Sequence, residues 1–126
     1  MEIEEFLNSK GFKLLTSNDS NYFGEHFEIF RGNSFDLRLS SSKSFETIDI
    51  RSLLPNDEWF DLALVKALIY NEEKLNKVTS MAEYIDFVKN DIEKITELFN
   101  SNYLLVKEQL QKLGKTRAQQ MFPGKV

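Results

Sequence analysis

The chain has 126 residues, of which 41% are hydrophobic and 29% charged, and its formal net charge is −4. This balance is typical of a globular domain with its own core and excludes a disordered chain. The chain has no cysteine and one histidine, which excludes disulfides and thiolate zinc sites and leaves little for nucleophilic or acid–base catalysis. We therefore expect one domain over residues 1–126, with no cofactor and no metal.

The N-terminal stretch "MEIEEFLNSK" is acidic and lacks the basic region and the apolar run of a signal peptide. The longest mostly apolar run, residues 59–70, is too short to span a bilayer and contains two charges. These features predict a cytoplasmic protein. Residues 2–9 predict a short helix with Ile3, Phe6 and Leu7 on one face, which Gly11 ends.

A switch from helical to alternating periodicity marks the next segment. The stretch "HFEIFRGNSFDLRLSSSKSFETIDIRS" predicts three antiparallel strands joined by turns at "GNS" and "SKSF". A three-residue loop over 32–34 would set Arg31 opposite Phe35, and the next turn would set Ser41 opposite Glu46. This register gathers the apolar residues on one face of the sheet: Phe27, Ile29, Phe35, Leu37, Leu39, Ile48 and Ile50.

The same register predicts charge pairs on the opposite face of the sheet. It sets Glu28 opposite Arg38, Arg38 opposite Asp49, and Asp36 opposite Arg51. Opposite charges directly across a strand pair are favourable by a few tenths of a kcal/mol each. The pairs therefore support the three-stranded arrangement.

Further strands are predicted before the meander. Residues 12–16, and Tyr22 with Phe23, can extend the sheet to as many as five strands, and the "TSNDSN" between them predicts a loop. From Pro55 the pattern is helical almost to the end, where "MFPGKV" predicts a loose terminus. The expected fold is α+β: a short N-terminal helix, an antiparallel meander of 3–5 strands, and three C-terminal helices packed on its apolar face.

Local signals set the predicted bounds of these helices. Asn56 or Asp57 can cap the first of them, and Ser80 with Glu83 forms a capping box for the second. The "NSNY" stretch separates the second helix from the last, which Gly114 weakens or ends. In the helix that follows Pro55, apolar residues cover most of the circumference and leave one strip: Trp59, Ala63, Lys66 and Tyr70.

That strip has two interpretations. Aromatic side chains around a lysine are frequent anchors for a partner. Alternatively, Trp59 and Tyr70 fold over the edge of the core of this chain. With the acids beside it, the strip makes up the predicted partner-binding surface: Asp57, Glu58, Trp59, Asp61, Lys66, Tyr70, Glu72 and Glu73.

Charge is unevenly distributed along the chain. Residues 107–126 contain five cations and one acid, so the rest carries −8 in a chain whose total is −4. An acidic body repels nucleic acid and attracts a basic partner. Asp57 and Asp61 have the spacing to share a magnesium ion, but acids are expected in the first turn of a helix without any metal, and no metal site is predicted.

The profile of size, acidity, lack of cysteine, α+β pattern and missing catalytic groups resembles small bacterial immunity proteins, the antitoxins of contact-dependent or polymorphic toxin systems. The resemblance implies a non-enzymatic protein that binds and neutralises a cognate toxin domain, often a basic nuclease, without binding nucleic acid or membrane itself. Two alternatives stay open. One is a homodimeric structural or regulatory protein, and the other is a metal-dependent hydrolase that uses Asp57 and Asp61.

Overall fold

The computed structural model describes residues 2–20, 25–42 and 45–124. The α+β class, the short N-terminal helix, the antiparallel meander and the three C-terminal helices are confirmed. Tyr22 and Phe23, predicted to extend the sheet, lie outside the described residues. The elements in chain order are α1 Glu2–Ser9, β1 Lys13–Ser20, β2 Glu25–Arg31, β3 Phe35–Ser41, β4 Glu46–Ser52, β5 Phe60–Asp61, α2 Leu62–Tyr70, α3 Met81–Ser101 and α4 Tyr103–Met121.

The five strands lie side by side in chain order, each antiparallel to the next. One face of the sheet forms a continuous apolar cluster with the helices, because alternate strand residues point to the same side. We call this the inner face, and the side that points away from the helices the outer face. The inner-face members of the cluster are Phe30, Phe35, Leu37, Leu39, Ile48, Ile50 and Phe60.

The predicted pairing of β3 with β4 is confirmed, including Arg38 opposite Asp49 and Asp36 opposite Arg51. The predicted pairing of β2 with β3 is wrong by one residue, because Arg31 lies opposite Asp36 rather than Phe35. Four residues, 32–35, lie between the register partners Arg31 and Asp36, and the Gly32 amide donates a hydrogen bond of 3.0 Å to the Phe35 carbonyl. The three-residue loop of the prediction is therefore one residue too short.

A slip of one residue exchanges the two faces of a strand. Phe30 accordingly enters the core, whereas Phe27 and Ile29, predicted for the apolar face, lie half-buried on the outer face. The predicted pair of Glu28 with Arg38 is also wrong, since Glu28 lies opposite Leu39.

The first strand is longer than the sequence predicted. Residues 16–20, expected to be a loop, belong to β1, which pairs with β2 and has a bulge between Leu14 and Thr16. Tertiary pairing has here overridden the turn propensity of Ser, Asn and Asp. β1 forms one edge of the sheet, and residues 13–18 are all exposed.

The helix predicted to be capped by Asn56 or Asp57 is instead capped by Asp61, four or five residues later. Phe60 and Asp61 form the short β5 beside β4, and α2 begins at Leu62. Asp61 caps it, with its carboxylate accepting a hydrogen bond of 2.9 Å from the Ala63 amide. Because Trp59 precedes the helix, the predicted strip of Trp59, Ala63, Lys66 and Tyr70 does not exist as one helical face.

The last two helices follow the sequence more closely. The capping box of Ser80 and Glu83 is confirmed, and the predicted break near residue 102 separates α3 from α4. Asp91 departs from helical geometry and kinks α3. Gly114 does not end α4, which continues to Met121; a Cβ added at Gly114 would lie 3.8 Å from Leu64, so the glycine faces α2.

Replacing Ser80 with alanine is expected to lower the free energy of unfolding by about 1 kcal/mol, because the Glu83 amide loses its cap. Ser101→Ala is the matched control, since that hydroxyl only bonds back to the Glu97 carbonyl in the last turn of the same helix. Urea unfolding of both variants measures the difference. Equal losses would show that the capping box does not stabilise α3.

Candidate functional site on the outer face of the sheet

The outer face carries three rows of side chains that run across the strands. Direct register partners share a face, so the rows can be followed from β1 to β5. Trp59 lies one residue before β5, and continuing the register places it opposite Arg51. The first row is Lys13, Arg31, Asp36, Arg51 and Trp59; the second is Thr16, Ile29, Arg38, Asp49 and Asp61; the third is Asn18, Phe27, Ser40 and Thr47.

Asp36 is the centre of the first row. Its side chain is fully buried, and it accepts two hydrogen bonds from Arg31, at 2.9 Å from Nε and 3.0 Å from Nη2. Arg51 on β4 donates a third hydrogen bond to Asp36, at 3.1 Å from its Nη2. The hydrogen bonds and charge of Asp36 raise the pKa of Arg31. A buried carboxylate held by two arginines fixes their side chains to the sheet.

Trp59, the one tryptophan of the chain, lies against Arg51 of the first row and Arg38 of the second. The Cζ atom of Arg51 is 4.2 Å from the centre of the ring, and that of Arg38 is 4.4 Å away. Both separations are within the range of a cation–π interaction. Arg38 is itself held by Asp49, at 2.8 Å from Nη2. The indole therefore rests on two side chains that are already fixed by carboxylates.

Two carboxylates lie directly opposite each other at the sheet edge, Asp49 on β4 and Asp61 on β5. Like charges in this position destabilise a sheet unless each has a cation of its own. Arg38 pairs with Asp49, and Arg117 of α4 pairs with Asp61 at 2.8 Å. Burial raises the pKa of Asp49, and the hydrogen bonds from Arg38 oppose that rise.

Tyr84 of α3 completes the surroundings of Asp61. Its hydroxyl donates a hydrogen bond of 2.7 Å to the carboxylate. Burial, and then this hydrogen bond, raise the pKa of Tyr84 well above its usual value, so the phenol stays protonated. Asp61 thus joins the outer face to both α3 and α4.

The residues just before Trp59 are bound to α4 as well. The Asp57 side chain is 3% exposed and accepts hydrogen bonds from Ser52, Tyr103 and Lys107. Burial is the largest influence on Asp57 and raises its pKa, but these donors together outweigh it and lower the pKa to about 2. Glu58 accepts a hydrogen bond of 2.7 Å from Gln111.

The structure separates the residues predicted to form one partner-binding surface. Trp59 lies on the outer face, while Tyr70 bonds to both carboxylate oxygens of Asp91 in the helical layer, at 2.8 and 2.9 Å. Lys66 pairs with Glu72 at 3.4 Å. The carbonyl of Glu73 accepts a hydrogen bond from Gln120. Four of the eight predicted residues remain adjacent: Asp57, Glu58, Trp59 and Asp61.

The sequence did not predict Arg31, Arg38 and Arg51 as neighbours of Trp59. The charge pairing across β3 and β4 was predicted. Residues 56–61 were predicted to be helical, however, and that prediction placed Trp59 in the helical layer instead of on the sheet. One signal was present in the sequence: Trp59 and Asp61 flank the buried Phe60 with the period of a strand, and Asp61 is a good helix cap.

No group of three histidine or acidic side chains is arranged to bind a metal within residues 2–20, 25–42 and 45–124. The two acids considered for magnesium, Asp57 and Asp61, each contact a different cation of α4. Among the same residues, no helix is long and apolar enough to cross a membrane.

Comparison with known proteins gives no match to a protein-family model, to a curated protein or to a solved structure.

Proposed function

We propose that this chain is a non-enzymatic protein-binding module that binds and neutralises a cognate toxin domain, as immunity proteins do. The observation that carries the proposal is the position of Trp59 on Arg38 and Arg51. Tryptophan and arginine are the residues most enriched where binding energy concentrates in protein interfaces. The outer face presents them together on the side of the sheet away from the helices.

The arrangement also reduces the entropy that binding would cost. Asp36 and Asp49 already hold the arginines through hydrogen bonds, and the arginines hold the indole. Ordering a mobile side chain costs about 0.5–1.5 kcal/mol on association. Side chains that are fixed before the partner arrives avoid most of this cost, which favours a binding surface over an ordinary solvated sheet face.

Charge supports a basic partner through one part of the acidic body, an exposed stripe of α3, rather than through the acids beside Trp59. Lys107 and Arg117 neutralise Asp57 and Asp61, so these acids contribute little to attraction. The exposed acids on one stripe of α3 form no ion pairs with other described residues and keep their field: Asp86, Glu93 and Glu97. In the proposal they steer a basic domain over a distance of about a Debye length, and the outer face anchors it.

Trp59→Ala is expected to raise the Kd for the toxin domain at least tenfold, a loss of about 1.4 kcal/mol that exceeds the contribution of most interface residues. Because immunity proteins are encoded beside their toxins, the probe is the product of the gene adjacent to that of this chain, produced in a catalytically inactive form and measured by calorimetry. Leu104→Ala is the matched control, because Leu104 is a strongly exposed apolar residue on α4.

A second measurement links binding to neutralisation. Cells that produce the active form of the same adjacent gene product should grow with the wild-type chain and with Leu104→Ala, and should grow poorly with Trp59→Ala. If the wild-type chain gives neither a complex nor rescue, the proposed function is wrong. If both variants bind like wild type, the function stands but its site is not the outer face.

A further inference from the structure

α4 is held to the rest of the protein by polar contacts along its whole length. Two of its side chains are buried, Val106 and Leu110. Five others form hydrogen bonds or ion pairs with distant parts of the chain: Tyr103, Lys107, Gln111, Arg117 and Gln120. Tyr103 and Leu113 also pack against the core while partly exposed, so apolar packing and these polar contacts together position the helix.

Four of those five contacts end on one short segment, residues 57–61. Tyr103 and Lys107 bind Asp57, Gln111 binds Glu58, and Arg117 binds Asp61. The contacts therefore follow the same order along α4 and along the segment. The lengths match as well. From Lys107 to Arg117 the helix rises about 15 Å, close to the maximum of about 14 Å that the four residue steps from Asp57 to Asp61 can cover. Residues 57–61 therefore run alongside α4 and are held to it by side-chain contacts at both ends.

Trp59 is at the centre of that segment. Residues 57–59 belong to no helix or strand, so no backbone ladder fixes them. The clamps on Asp57 and Asp61 lie two residues before and two residues after the indole. Because the carboxylates are mostly buried and their cations are about one-quarter exposed, the clamps are only partly screened by salt.

We propose that Lys107 and Arg117 are positioning residues that hold Trp59 on the outer face, so that the docking of α4 controls whether the partner-binding surface is assembled. The inference rests on the proposed function for its consequence, but its first step concerns this chain alone. Anything that displaces α4 frees the segment and lets the indole leave Arg38 and Arg51.

The double variant Lys107→Met/Arg117→Met removes both cations and keeps most of each apolar stem. The matched control is Lys112→Met/Lys115→Met, which removes the same charge from two exposed positions of α4 that form no ion pair with the described residues. Because the chain has one tryptophan, intrinsic fluorescence reports on Trp59 directly. We expect a red-shifted emission and faster quenching by acrylamide in the first variant, and wild-type values in the control.

Tyr103→Phe provides a milder test that keeps the fold. It removes one hydroxyl from Asp57 and leaves the ring packed against Phe99, with centroids 5.1 Å apart. Its fluorescence should change in the same direction by a smaller amount. Circular dichroism at 222 nm confirms that each variant retains its helices before the fluorescence is compared.

Binding to the inactive toxin domain then tests the consequence. The Kd of Lys107→Met/Arg117→Met should rise about tenfold, the cost of ordering one or two released side chains again, with no change in the control. Equal quenching in both double variants overturns the inference, whatever the partner does. Faster quenching without weaker binding, where Trp59→Ala does weaken binding, overturns control by α4 and leaves the proposed function standing. If Trp59→Ala also binds like wild type, the proposed site fails, and control of binding by α4 fails with it.

Discussion

Replacing Asp36 with alanine is expected to lower the free energy of unfolding by about 3 kcal/mol, at the lower end of the range for breaking a buried ion pair. The carboxylate is fully buried and serves two arginines, Arg31 and Arg51. The loss is at the lower end because both guanidinium groups reach solvent, with Arg31 about half exposed. Chemical denaturation followed by circular dichroism measures the change.

Asp49→Ala is the matched control on the same face. Asp49 keeps some access to solvent and, among the described residues, forms its ion pair with Arg38, so its loss should cost about 1 kcal/mol. A double-mutant cycle between Arg31 and Asp36 adds a test of the strand register. The structure predicts a coupling of about 1 kcal/mol between them, and none between Glu28 and Arg38. Coupling between Glu28 and Arg38, with none between Arg31 and Asp36, would instead support the register with a three-residue loop.

Acid should remove the contribution of Asp57 to stability over a defined range of pH. Its pKa in the folded protein, about 2, lies below the usual value of 3.8. A carboxylate with a lowered folded-state pKa stabilises the protein fully above about pH 4, and this contribution disappears as the pH falls toward 2. The shift corresponds to about 2 kcal/mol after allowance for screening at the partly exposed Lys107.

The comparison with Asp57→Asn isolates this group from the other carboxylates. At pH 6 the variant should be less stable than wild type by about 2 kcal/mol, and the difference should vanish near pH 2. Asp86→Asn is the control, because Asp86 is exposed on α3 and forms no ion pair with the described residues. Its free energy of unfolding at pH 6 should match wild type within about 0.5 kcal/mol. The prediction would be contradicted if the free energies of unfolding of Asp57→Asn and wild type differed as much at pH 2 as at pH 6.

The strands β2, β3 and β4 show what the alternation of apolar and polar residues can specify by itself. In β3 and β4, apolar and polar residues alternate without ambiguity, and the predicted register there is confirmed down to the pairs of Asp36 and Asp49. In β2, the stretch "HFEIF" has apolar residues on both parities. Either face of β2 could therefore have been buried, and the length of the turn decided which.

The candidate site shows a different limit. The pattern of residues 55–70 is apolar enough to predict a helix throughout, and a helix would carry Trp59 and Tyr70 on one strip. The edge of β4 instead pairs with Phe60 and Asp61, and Asp61 caps the helix after them. Pairing with an existing strand edge is a tertiary contact, so no window of the local sequence contains it.

The sequence by itself determined the elements whose signals lie within a few residues: the short first helix, the β3–β4 hairpin and the capping box at Ser80. Tertiary structure alone decided where Trp59 lies and what surrounds it. The contacts that position it join Asp57 and Asp61 to residues 46 to 56 positions later in the chain. Contacts of that separation depend on how the layers pack, because only packing brings α4 beside the sheet edge.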